Sequence, residues 1–119
     1  MLFNLSQQKI EDIPHKKDYD LWKSRLTDDQ YVQIMSKLEE ELNTRNVFVS
    51  SHIPGKEWDY PLYYIYEACN KHFEHAAYFY GLLLWEAVIR HPAKWYFKPK
   101  DEDDAFKGTV YFRHNEDRI

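Results

Sequence analysis

Phe73-Glu74-His75-Ala76-Ala77-Tyr78-Phe79-Tyr80-Gly81-Leu82-Leu83-Leu84-Trp85-Glu86-Ala87-Val88-Ile89-Arg90-His91 is the stretch on which the fold turns. Phe73, Ala76, Ala77, Tyr80, Leu83, Leu84, Ala87 and Val88 recur at helical spacing and line one side. Phe79, Leu82, Trp85 and Ile89 occupy much of the rest, so Glu74, His75, Glu86 and Arg90 leave only a narrow polar stripe. Glu86 and Arg90 stand four residues apart, the spacing of a helical ion pair, and Pro92 ends the helix. A helix apolar on most sides belongs in the middle of a core or under the surface of another protein. A domain of this size buries only about 65% of its chain surface. The expectation is therefore that this segment carries more apolar surface than one copy conceals.

Upstream, Asp59-Tyr60-Pro61 reads as a helix start, with proline at the first helical position. Asn70-Lys71-His72 is the natural break, which divides 61–91 into helices over 61–70 and 72–91. Downstream, Trp95 and Phe97 alternate with Lys94, Tyr96 and Lys98, while Val110 and Phe112 alternate with Thr109, Tyr111 and Arg113. Two period-2 segments joined by 99–108 predict an antiparallel hairpin with an acidic tip at Asp101-Glu102-Asp103-Asp104. Earlier in the chain, Thr27-x-x-Gln30 forms a capping box, and Tyr31, Ile34, Met35, Leu38 and Leu42 follow at one helical face, giving a helix over 28–44. The β-branched and aromatic run 46–51 predicts a strand that joins the hairpin. Before Thr27 the pattern is weak. Leu5, Ile10 and Ile13 suggest a short helix ending at Pro14, His15-Lys16-Lys17-Asp18 a polar turn, and Tyr19, Leu21, Trp22 and Leu26 a single helical turn. The expected fold class is α+β, with three to four helices packed on a small antiparallel sheet.

At 119 residues the chain fits a single globular domain over 1–119. A net charge of −4 gives no basic field for nucleic acid. The first residues lack the basic and apolar runs of a signal peptide, and no apolar stretch is long enough to span a bilayer. The one cysteine, Cys69, has no partner for an internal disulfide. The expected setting is cytoplasmic, with no membrane and no nucleic acid involved. The compositional outlier is aromatic: 10 Tyr, 7 Phe and 4 Trp.

No motif specifies a reaction, so no catalytic residue and no cofactor is assigned. Cys69, His72 and His75 are of metal-ligating type, but at 3.6 residues per turn they step across about 120° of helix surface. They are weak metal candidates. Lys94-Trp95-Tyr96-Phe97-Lys98-Pro99-Lys100 resembles a base-stacking segment, yet its alternation already accounts for it as strand. The polar stretch from Ser50 to Tyr60 joins a strand to a helix, where binding sites collect. Beside it, tyrosines crowd a single helix. Tyrosine combines apolar area with a polar tip, which suits protein interfaces. The expected function is a non-catalytic protein-interaction or oligomerisation module with an aromatic-rich surface, self-pairing as a homodimer or binding another protein. Its interface candidates are His52, Trp58, Tyr60, Tyr63, Tyr64 and Glu67. The alternative is a small enzyme or ligand-binding domain with a pocket near residues 50–67, walled by His52, Glu57, Asp59, Tyr63 and Glu67, with His52 as the proton shuttle.

Overall fold

A computed structural model describes residues 1–49, 59–99 and 109–113. Among them, the apolar segment forms helix α4 (Phe73–Arg90), and the rest of the chain is wrapped around it. Helices α1 (Lys16–Lys23), α2 (Asp28–Asn43) and α3 (Tyr63–Ala68) each pack against α4. The opposite side takes a sheet of five strands: β1 (Leu2–Phe3), β2 (Lys9–Ile10), β3 (Val47–Val49), β4 (Trp95–Pro99) and β5 (Thr109–Arg113). Their order is β2-β1-β4-β5-β3. This is the α+β class that the patterning predicts.

The surface that seemed too large for one chain is covered from within. Ala76, Phe79, Tyr80, Leu82, Leu83, Leu84, Ala87 and Val88 are all buried. Phe79 meets Tyr19 and Trp22 of α1 at ring-centroid distances of 6.2 and 5.7 Å. Trp85 meets Phe97 and Tyr111 of the sheet at 4.8 and 6.3 Å. Each side of α4 thus has its own neighbour, and of its large apolar residues Phe73 and Tyr78 are the exposed ones. The expected excess of apolar helix surface does not exist, and with it goes the reason for requiring a second molecule to cover α4.

Three further expectations are corrected. The first thirteen residues form the β1–β2 hairpin, not a helix. Asn4 decides this, because its Oδ1 accepts from the Ser6 and Gln8 amides at 2.9 Å each and fixes a tight turn in which Gln7 takes φ 63°. The segment from 16 to 23 is a full helix with His15 as its N-cap, in place of the polar turn expected over 15–18 and the single helical turn expected after it. Helix α3 begins at Tyr63; Pro61 lies in the preceding turn, after a cis Tyr60–Pro61 peptide.

The sheet is mixed, not purely antiparallel. β4 pairs with β5 and β5 with β3 antiparallel, but β1 runs parallel to β4, with Leu2 opposite Trp95. The Met1 amino group anchors this edge by donating to the carbonyls of Val88, His91 and Ala93. Trp95 and Tyr111 are the buried side chains of the hairpin. Tyr96 stacks on Phe112 on the other sheet face. The inner residue of β5 is therefore a tyrosine, with Val110 and Phe112 facing away from it. The acidic tip at 101–104 lies outside the described residues.

Candidate functional site

Two surface features emerge, one expected from the sequence and one not. The expected feature is the tyrosine cluster where the chain enters α3. Helical spacing sets Tyr63 beside Tyr66, and their ring centroids are 5.8 Å apart. The turn at Pro61 brings Tyr60 against both Tyr63, at 5.2 Å, and Tyr64, at 5.0 Å. Tyr60 is 65% exposed, the most accessible of the large apolar side chains described. Tyr64 leans inward and packs against the core, while Ile65 beside it is fully buried. Asp59 and Glu67 are exposed at the ends of this segment. Among the described residues, no basic side chain pairs with either of them. Tyr60, Tyr63, Tyr64 and Glu67 therefore belong to one short segment. His52, Trp58 and Glu57 lie outside the described residues.

The weak metal candidates separate. Cys69 is buried in the core, and burial pushes its thiol up to about 12, where it remains protonated at neutral pH. His72 is the N-cap of α4, its Nδ1 accepting from the His75 amide at 3.2 Å. The two imidazoles stack at 4.0 Å, and His75 turns its ring to Trp22 at 5.7 Å. Among the described residues, no group of three His, Cys, Asp or Glu side chains is placed to hold a metal ion.

The unexpected feature is a half-open cleft of about 230 Å³ between α1 and α4, lined by His15, Asp18, Trp22, Tyr78 and Leu82. Trp22 and Leu82 are almost fully buried and supply its apolar wall, while Tyr78 is about half exposed at its mouth. Asp18 and His15 supply the polar rim. Sequence reasoning missed all five. Residues 15–22 were read as a turn and a fragment of helix, and α1 meets α4 across some sixty residues of chain. The one local signal was the i, i+4 pair Asp18 and Trp22, which a helical reading would have put on one face.

A third polar constellation is enclosed. Glu86 accepts from the Tyr19 and Tyr31 hydroxyls and pairs with Arg90 at 3.2 Å. Burial, and then Glu86 itself, raises the Tyr19 phenol far above its ordinary value. His91, at the end of α4, sets its Nε2 2.7 Å from Asn43 Oδ1 and accepts at Nδ1 from Ala93 N and Trp95 Nε1. The carboxyamide oxygen fixes Nε2 as the protonated nitrogen. Burial, reinforced by Arg113 and the Met1 amino group, lowers its pKa. These bonds join α1, α2, α4 and the sheet, and Arg90 and His91 also border a small cleft of about 130 Å³ with Met35, Glu39 and Ala87.

Among the described residues, no helix is long and apolar enough to cross a membrane. Compared with protein-family models, curated proteins and solved structures, the chain matches none of them.

Proposed function

We propose that the chain is a non-catalytic protein-interaction module that docks a basic segment of a partner protein on the cluster of Tyr60, Tyr63, Tyr64 and Tyr66. The observation that carries this reading is the spacing of the rings, 5.0 to 5.8 Å between neighbouring centroids, beside two carboxylates that pair with no basic side chain among the described residues. Tyrosine faces attract guanidinium and ammonium groups, and Asp59 and Glu67 supply the charge-assisted acceptors that fix an arginine in place. Tyrosine is also over-represented among the residues that dominate interface energetics. A two-fold dimer through this patch would set like charges against each other, which favours a different, basic partner over a second copy. The free thiol of Cys69 supports a reducing setting, the cytoplasm.

The test is an NMR titration with a synthetic arginine-rich peptide and its glutamate-substituted counterpart. The expected result is amide shifts confined to 59–67 with the basic peptide alone, and a loss of more than about tenfold in affinity for Tyr60→Ala combined with Tyr63→Ala. Shifts scattered over the surface, or equal binding of both peptides, would refute the basic partner. Sedimentation at micromolar concentration covers self-pairing: a dimer abolished by Tyr60→Ala would put a second copy on this patch instead.

A further inference from the structure

The cleft between α1 and α4 has a polarity of its own, independent of the tyrosine cluster. Its volume of about 230 Å³ exceeds the roughly 150 Å³ of an engineered apolar cavity that holds benzene. There is room for a bicyclic ring, or for a benzene ring with a short chain. Trp22 forms the wall and is backed by Phe79 and His75, each 5.7 Å away between centroids. The indole face is thus held in place before anything binds. Tyr78 stands at the mouth, 49% exposed.

The rim carries an exposed carboxylate, Asp18, in the first turn of α1. Lys16 pairs with Asp20 at 3.5 Å, and among the described residues no basic side chain pairs with Asp18. On a helix of 3.6 residues per turn, Asp18 and Trp22 lie about 40° apart, whereas Lys16 and Lys17 are both at least about 100° from either. The neighbouring lysines therefore point away from the cleft. His15 adds a second, separate observation. It is the N-cap of α1 with φ 51°, in the left-handed region, yet its side chain makes no capping bond. Its imidazole edges the cleft instead. A non-glycine backbone in the left-handed region is uncommon and costs free energy, and such outliers cluster at ligand sites.

We propose that this cleft binds a small protonated aromatic amine, its ring against Trp22, Leu82 and Tyr78 and its ammonium on the Asp18 carboxylate. The two aromatic faces attract the cation through their quadrupoles. An aromatic acid would meet Asp18 as a like charge, and a neutral ring would strip water from the carboxylate without replacing it.

The experiment titrates the whole protein with tryptamine, phenethylamine and indole-3-propionate, following the Trp22 indole and Tyr78 resonances by NMR. Both amines are expected to saturate the site at millimolar concentration or below, as suits ligands of this size. The acid should bind at least about tenfold more weakly. Asp18→Asn, an exposed and nearly isosteric change, should weaken both amines by about tenfold while leaving the far-ultraviolet circular dichroism spectrum unchanged. Equal affinity for amine and acid, indifference to Asp18→Asn, or no saturation by either amine would each overturn the assignment. Tyr60→Ala should leave amine binding intact, and Asp18→Asn should leave binding of the basic peptide intact, so the two sites fail or hold separately.

Discussion

Glu86 is 4% exposed, one turn from the C-terminal end of α4, and side chains from α1, α2 and α4 converge on it. Tyr19 from α1 and Tyr31 from α2 each donate a phenol to one of its oxygens, and Arg90 pairs with it from the next turn. A buried carboxylate is tolerated only when its lone pairs are occupied, and here hydroxyls do most of that. The Arg90 side chain is itself 62% exposed, so its ion pair is screened and worth little. Removing the acceptor is a different matter, because the buried Tyr19 hydroxyl and the half-buried Tyr31 hydroxyl are then left without a partner. Glu86→Ala should destabilise the protein by about 2–6 kcal/mol, at about 1–3 kcal/mol per orphaned group. Arg90→Ala should cost less than about 1 kcal/mol. Urea unfolding of the two variants decides between them; equal losses would mean that the two phenol bonds add nothing beyond the ion pair within α4. In the sequence Glu86 is readable as the partner of Arg90, because that contact is local. Its bonds to Tyr19 and Tyr31 span 67 and 55 residues, and no periodicity announces them.

Helix α2 forms for reasons contained in its own residues. Thr27 accepts from the Gln30 amide at 3.1 Å, and Gln30 Oε1 accepts from the Thr27 amide at 2.9 Å, so both halves of the capping box are closed. Ile34, Leu38 and Leu42 then lie buried on one face. Thr27→Ala removes the cap without disturbing that face and should cost about 1 kcal/mol, read as a lower urea midpoint with an unchanged slope. A loss within error would show that packing on α4 alone determines where the helix starts. Elements of this kind, α2, α4 and the β4–β5 hairpin, are legible because a dozen or so residues repeat one period. The break before α4 is legible too, since Asn70 and Lys71 both adopt left-handed φ, at 55° and 58°. β1 and β2 are not legible: two residues carry no period, and what makes Leu2 a fully buried strand residue is parallel pairing with Trp95 at the far end of the chain. The tyrosine cluster is legible because its members are neighbours in sequence. The α1–α4 cleft is not, because its walls come from two helices whose packing is set by the core.

At the scale of the molecule, about half of the aromatic excess serves the core: among the described residues six aromatic side chains are buried and five more pack against them. Tyr19, Tyr80 and Tyr111, from α1, α4 and β5, are essentially inaccessible, and burial is the leading reason that each phenol is raised well above its ordinary value. In the unfolded chain the same groups ionise near pH 10. The sign follows directly. Above that pH the unfolded state gives up protons that the native state retains, so stability falls as pH rises, by about 1.4 kcal/mol per pH unit for each such phenol. With three of them the slope approaches about 4 kcal/mol per unit. Below pH 9 they contribute no dependence. The acid side rests on His91, whose lowered pKa and bonds to Asn43, Ala93 and Trp95 require the neutral ring. The unfolded chain takes up that proton below about pH 6.5, so the His91 contribution is complete above that value and declines as pH falls; the Met1 amino group, whose pKa burial also lowers, adds an earlier decline below about pH 8. Urea midpoints measured from pH 5 to 11 should therefore describe a plateau with a shallow acid shoulder and a much steeper alkaline edge. The raised Cys69 thiol adds a fourth such group, so Tyr111→Phe should make the alkaline edge shallower by about a quarter and leave the acid shoulder in place. A midpoint that stays level between pH 9.5 and 11 would mean that these phenols reach water in the folded protein, and that the aromatic core is looser than its burial implies.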